Sequence, residues 1–145
     1  MQIVDDYPLT VEMMERGMQT IYMERMIGKF DIVIGKLSRG ESIHVAVIGG
    51  SFAHYADNFM FMFCDWLRHS FPVASVLPHH LAVPSTRSEY AMHHLKEWSD
   101  QQHYDLMFVA YAANDNGDGI IHDQILIATE FIVRTMLKRK TALIY

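Results

Sequence analysis

The sequence predicts an α/β protein: a three-layer α/β/α sandwich around a mostly parallel, flavodoxin-like sheet. Three observations carry that expectation. Residues 43–48 and 105–110 are short apolar runs with the continuous hydrophobicity of strands buried on both faces. Stretches with helical spacing lie between the extended runs. The intervals are long enough for right-handed crossovers, which place helices on both faces of a sheet.

Taken in order, Thr10 is a helix cap, and Val11, Met14, Met18, Ile21 and Tyr22 keep helical spacing after it. A second short helix over residues 30–37 ends at Gly40. The first strand covers 43–48. Asp57 or Asn58 starts a helix through Ser70, with Phe59, Met62, Phe63, Trp66 and Leu67 on one face. Pro72 stops it, and residues 73–77 read as a short strand. A loop with Pro78 and Pro84 follows, then a helix from Ser85 or Thr86 to Trp98. The strand at 105–110 leads into a turn-rich loop, 114–119, and a long helix over 121–138 with basic residues in its last turns. The stretch from Thr141 to Tyr145 is one more strand. Residues 1–40 are expected as an N-terminal helical segment and 41–145 as the α/β domain.

The chain has 145 residues, enough for one domain with a sizeable core. Half of them are apolar and 20% charged, which excludes a disordered polymer. Net charge is -5 and the longest basic run is Lys138-Arg139-Lys140, so nucleic acid is not expected as the principal partner. Cys64 is the single cysteine; it excludes an internal disulfide and a thiolate metal cluster, and its apolar neighbours predict a buried structural thiol. No apolar run approaches the roughly 18–20 residues of a membrane span. The N-terminus, with Asp5 and Asp6, does not read as a signal peptide. The compartment is not legible.

Chemistry concentrates where strands end, because ligands of open parallel sheets sit beyond the carboxyl ends. Residues 43–51, Ile-His-Val-Ala-Val-Ile-Gly-Gly-Ser, put Ser51 at the mouth of a buried strand, followed soon by helical spacing. Asn114 falls just past the third strand. A serine there either attacks an acyl carbon or merely closes a strand-to-helix turn. Asn114 either donates to an oxyanion or bonds its own backbone.

Three blocks in sequence resemble the SGNH hydrolases, also called GDSL-like esterases. Ser38-Arg39-Gly40-Glu41, continuing through Val45-Ala46-Val47-Ile48-Gly49-Gly50-Ser51, is similar to the nucleophile block in its carbohydrate-esterase-like form. Ala82-Val83-Pro84-Ser85-Thr86-Arg87-Ser88-Glu89-Tyr90 is similar to the second block. Asp105-Leu106-Met107-Phe108-Val109-Ala110-Tyr111-Ala112-Ala113-Asn114-Asp115 looks like the third. The resemblance covers about residues 35–145. It implies a serine esterase acting on a substrate such as an O-acetylated carbohydrate, with Ser51 as nucleophile and no cofactor or metal. The Ser51 amide and the Asn114 carboxamide would hold the oxyanion. One well-placed donor stabilises the transition state by roughly 3–4 kcal/mol. A third donor is implied from the second block, where Pro84 has no N–H and Ser85 does. Ala53 stands where the family usually has threonine.

The family's base is a histidine in an Asp-x-x-His block after a fifth strand. Here Asp100-Gln101-Gln102-His103 precedes the third strand, at the wrong end of the sheet. His54 and His122 are substitute candidates; Asp123 adjoins His122, but neighbours on a helix diverge by about 100°. The domain therefore reads as lacking the last strand and helix. A second protein segment or subunit is expected over the edge bounded by Thr141 and Tyr145, because an unpaired apolar edge invites cover. The rival reading is a catalytically inactive SGNH-like subunit of a larger assembly; a flavodoxin-like small-molecule binder is weaker, for want of a phosphate-cradling loop. Glu89, His93 and Glu97 share a helix face, and Asp115, Asn116 and Asp118 faintly resemble a calcium loop. Salt-bridge-prone and solvated surfaces account for both.

Overall fold

The computed structural model describes residues 21–55, 59–116 and 122–145. Its elements are α1 (Ile21–Ser38), β1 (Ile43–Gly49), α2 (Ser51–His54), α3 (Phe59–Ser70), β2 (Val76–His80), α4 (Ser88–Gln101), β3 (Leu106–Ala110), α5 (Ala112–Asp115), α6 (His122–Lys138) and β4 (Ala142–Ile144). The four strands form one parallel sheet in the order β2-β1-β3-β4. The α/β class is as expected. The helix read at Thr10 lies mostly outside the described residues.

Alternation along the strands sends successive side chains to opposite faces. Val45, Val47 and Phe108 face a core shared with Val33 and Leu37 of α1 and with Met60, Cys64 and Leu67 of α3. Ala46, Ile48 and Met107 face the other core, shared with Leu95 of α4 and with Ile132 and Met136 of α6. Two helices on each face make the three layers. Residues 43 and 45–48 are wholly buried, which explains the unbroken apolar run of β1.

Helix ends are set by local chemistry. Gly40, at φ +75, closes α1: its N–H donates to the Leu37 carbonyl and that of Glu41 to the Lys36 carbonyl. Lys140, at φ +61, closes α6 by the same pair of bonds, to Leu137 and Met136. At the amino end of the sheet the buried Asp105 carboxylate accepts from Lys36 Nζ at 2.6 Å and from the His44 amide at 2.9 Å.

Four boundaries depart from the sequence reading. Helix α1 runs Ile21–Ser38, where a short helix over 30–37 was expected. The second strand runs Val76–His80, not 73–77, and contains Pro78. Proline is tolerated because β2 is an outer strand, where a missing donor can face away from its neighbour. The following helix begins at Ser88, not at Ser85 or Thr86. Ser85 holds φ +60, outside helical geometry, and the Asp115 carboxylate takes the Ser88 amide at 3.1 Å. The segment read as a loop from Asn114 opens with a helical turn, α5, whose Asn114 and Asp115 amides both donate to the Tyr111 carbonyl.

Candidate active site

Ser51 is the first residue of α2, partly buried, directly beyond the carboxyl end of β1. The glycines before it make room for the neighbouring strand end. A Cβ on Gly49 would stand 2.7 Å from the Ala110 carbonyl oxygen and from the Ala53 methyl. A Cβ on Gly50 would stand 2.0 Å from Asn114 Oδ1, 2.5 Å from its Cγ and 2.9 Å from Nδ2. The Asn114 carboxamide therefore rests on the backbone that leads into Ser51. Parallel pairing of β1 with β3 brings this about: Gly49 is in register with Ala110, and the Gly50 amide donates to the Ala110 carbonyl at 3.4 Å. Two residues 63 positions apart in the chain thus meet at one strand end.

The second-block segment crosses the same end of the sheet. The Val83 amide donates to the Gly49 carbonyl at 3.0 Å, and Thr86 Oγ1 donates to the Val83 carbonyl at 2.7 Å. Ser85 lies between them in the left-handed region, at φ +60. That conformation favours glycine and costs other residues about 1–2 kcal/mol. Asp115 beside Asn114 is buried and ties α5 to the start of α4. It is engaged in capping, which accounts for an acidic residue that the sequence faintly linked to calcium. Tyr111, also buried there, has its hydroxyl pushed up to about 12 by burial.

The histidines divide by location. His54 Nδ1 lies 3.0 Å from the Ala82 carbonyl, an acceptor only, so Nδ1 carries the hydrogen and Nε2 is the basic atom of the neutral ring. His54 sits three residues after Ser51 on α2, and its ring packs edge-on to His80 at 5.2 Å. His80 Nε2 in turn donates to the Ala53 carbonyl at 3.0 Å. His122 begins α6, and its side chain, like that of Asp123, lies outside the described residues. His103 stands before β3, with Nε2 3.7 Å from Asp105 Oδ1, while Asn114 follows the same strand. Five strand residues, about 17 Å at 3.3 Å each, separate the two ends. His93 and Glu97 remain on α4, with His94 bonded to the Tyr90 carbonyl at 2.9 Å. Among the described residues no three His, Cys, Asp or Glu side chains converge as a metal ion requires.

Next to the Ser51–Asn114 junction lies a feature the sequence reading missed. A cavity of about 450 Å³ opens between α2, β3, α5 and β4, lined among others by Phe52, Phe108, Ala110, Ala113 and Tyr145. Its walls come from five elements, α3 included through Phe59, and are almost wholly apolar. Phe59 also lines it, a residue that helical spacing assigns to the core. The one sequence signal was Phe52 itself, a large apolar side chain immediately after the serine and 69% exposed.

The fold is an α/β/α domain of the kind found in solved esterases. Solved structures bear this out. A two-domain esterase active on acetylated mannans superposes with a TM-score of 0.67 and 18% identity, over 79% of this chain and 32% of that one. The structure of TesA follows at TM-score 0.61, 10% identity, and 69% and 57% of the two chains. The psychrotrophic esterase EstA from Pseudoalteromonas sp. gives 0.57, 10%, 69% and 56%. At such identities the likeness is one of fold. The chain spans about a third of the mannan esterase's length and somewhat over half of the other two. No family model matches the sequence, and no curated protein matches it. Among the described residues no helix is long and apolar enough to cross a membrane.

Proposed function

We propose that this chain is a serine ester hydrolase domain with Ser51 as its nucleophile. One observation carries the reading: the Asn114 carboxamide lies against Gly50, directly beside the serine, at the carboxyl end of the sheet. Ser51 Oγ attacks the acyl carbon and gives its proton to a base. The Ser51 amide and Asn114 Nδ2 hold the developing oxyanion, with the Ser85 amide as the third donor. Collapse expels the alcohol, which takes the proton, and leaves an acyl-serine; water then releases the acid by the same steps. The acceptor side is read as a carbohydrate, and the mannan esterase of the same fold supports that reading. The substrate that follows is an ester such as an O-acetylated sugar.

The base is supplied by a further protein segment laid beside β4. Two observations support this. β4 is an outer strand among the described residues, and Ile127 and Phe131 of the preceding helix α6 are exposed. The solved esterases of this fold are also longer than this chain. The same exposed flank favours a second reading, a catalytically inactive subunit that works through this surface.

An alkyl fluorophosphonate discriminates. The probe is expected to label Ser51, weakly for the chain alone and strongly once the covering segment is present. Ser51→Ala abolishes labelling, and Asn114→Ala slows it by about 10²–10³. Labelling of the isolated chain that disappears in His54→Gln would assign the base to His54. Silence with and without the segment would leave the subunit reading standing.

A further inference from the structure

We infer that His44 and His79 form a chelating pair for a tetragonal divalent ion of the copper(II) class, held on the sheet and away from Ser51. The two side chains come from adjacent parallel strands, β1 and β2, where Ala46 stands in register with His79. Side chains alternate along a strand, so His44, two residues before Ala46, shares a face with His79. Their rings meet through nitrogen. His44 Nδ1 lies 2.8 Å from His79 Nε2, with the ring centroids 5.0 Å apart and the planes tilted by 33°. In neutral rings one of these nitrogens donates its hydrogen to the other. By contrast, His54, His69, His80 and His94 each give a ring nitrogen to a backbone carbonyl. His44 lies five strand steps before Gly49, about 17 Å at 3.3 Å each, so the pair is separate from the serine at the strand end.

Geometry selects the ion. Imidazole nitrogen binds such metals at about 2.0–2.1 Å, so two nitrogens 2.8 Å apart subtend about 84–89° at a shared ion. That is the cis angle of tetragonal coordination, about 20° short of the tetrahedral angle that zinc adopts. Copper(II) also heads the affinity order of the divalent series. Histidine χ2 is a broad torsion, so a turn of each ring aims both lone pairs at one ion instead of at each other. The hydrogen of the donating nitrogen moves to the far nitrogen of the same ring, and both near nitrogens become ligands with each ring still neutral. The backbone beneath is fixed: the His44 amide donates to the buried Asp105 carboxylate at 2.9 Å, and the Tyr104 ring stands edge-on to His79 at 5.3 Å. Both histidines are partly exposed, so water reaches the remaining positions. No third ligand converges there among the described residues, which makes the site open and exchangeable and not a resident metal centre. Loaded, the pair clamps the outer strand β2 onto β1 and favours the folded chain by mass action.

Titration of the 145-residue chain with copper(II) and zinc(II) chlorides at neutral pH tests the pair. Copper is expected to bind at least about tenfold more tightly than zinc, with nitrogen splitting in its electron paramagnetic resonance spectrum and a raised unfolding midpoint. His44→Gln and His79→Gln each weaken copper by about tenfold or more, whereas His93→Gln, at an exposed position of α4, leaves it unchanged. Modification by diethyl pyrocarbonate, read by mass spectrometry, needs no variant to fold: copper is expected to protect His44 and His79 and to leave His93 reactive. Copper bound equally by both folded variants, or protection that falls on other histidines, assigns the binding to scattered surface imidazoles and overturns the pair. The absence of copper binding overturns it as well, and zinc bound as tightly as copper overturns the cis geometry. None of these outcomes depends on whether Ser51 is a nucleophile.

Discussion

At position 50 a methyl group has nowhere to go. Its carbon would fall 2.0 Å from Asn114 Oδ1, closer than any real contact, so either the carboxamide swings away or the turn shifts. Gly50→Ala is expected to lower stability by about 1–3 kcal/mol, the usual range for overpacking. The same variant should lose fluorophosphonate labelling, because the displaced amide no longer addresses the oxyanion. A cycle with Asn114→Ala, read by thermal unfolding, decides the cause: truncating Asn114 should remove most of the cost of the added methyl. Additive effects would show that Gly50 serves the backbone alone. Ser85 illustrates the opposite compromise, a side chain retained at φ +60 where glycine would sit without strain.

Asp105 shows how elements are locked together away from the site. Its carboxylate joins α1, through Lys36, to the first residues of β1 and β3. Asp105→Ala leaves the His44 amide buried without its acceptor, and a loss of about 1–3 kcal/mol in denaturant unfolding is expected. Lys36 is partly solvated, so the ion pair itself adds little. Elements of this kind were uneven in legibility. β1 and β3 were plain because strands buried on both faces carry unbroken apolar runs. β2 was placed three residues early, since Pro78 argues for a loop unless the strand is known to be an edge, and only the sheet order tells that. The helix after it was started early because the left-handed turn at Ser85 leaves no trace in composition. Ser51 and Asn114 were singled out by the rule that ligands sit where parallel strands end and by the resemblance of their blocks, and the structure lays Asn114 against Gly50, next to Ser51. The cavity beside them was not, because hydrocarbon lining drawn from five elements reads in sequence as ordinary core.

Across the whole molecule, stability couples to pH through the sheet. His44 Nδ1 and His79 Nε2 meet at 2.8 Å, joining β1 to β2. Burial, helped by the charge His44 would carry, holds the His79 imidazole below its ordinary value. The unfolded chain therefore takes up this proton more readily than the folded one, and acid favours unfolding. The unfolding midpoint is expected to fall as pH drops below the ordinary imidazole value of about 6.5, with His79→Gln flattening that decline. A decline unchanged in His79→Gln would place the acid sensitivity elsewhere.

Pro78 has a last consequence at the border of the sheet. One rim, β2, is blunted by a residue that offers no hydrogen, while the opposite rim among the described residues, β4, contains no proline. Molecules that stick by strand-to-strand pairing need two adhesive sides to grow a filament. With a single such side, adhesion is satisfied as soon as one strand, such as that of the covering segment, is laid against it, and polymerisation has no third step.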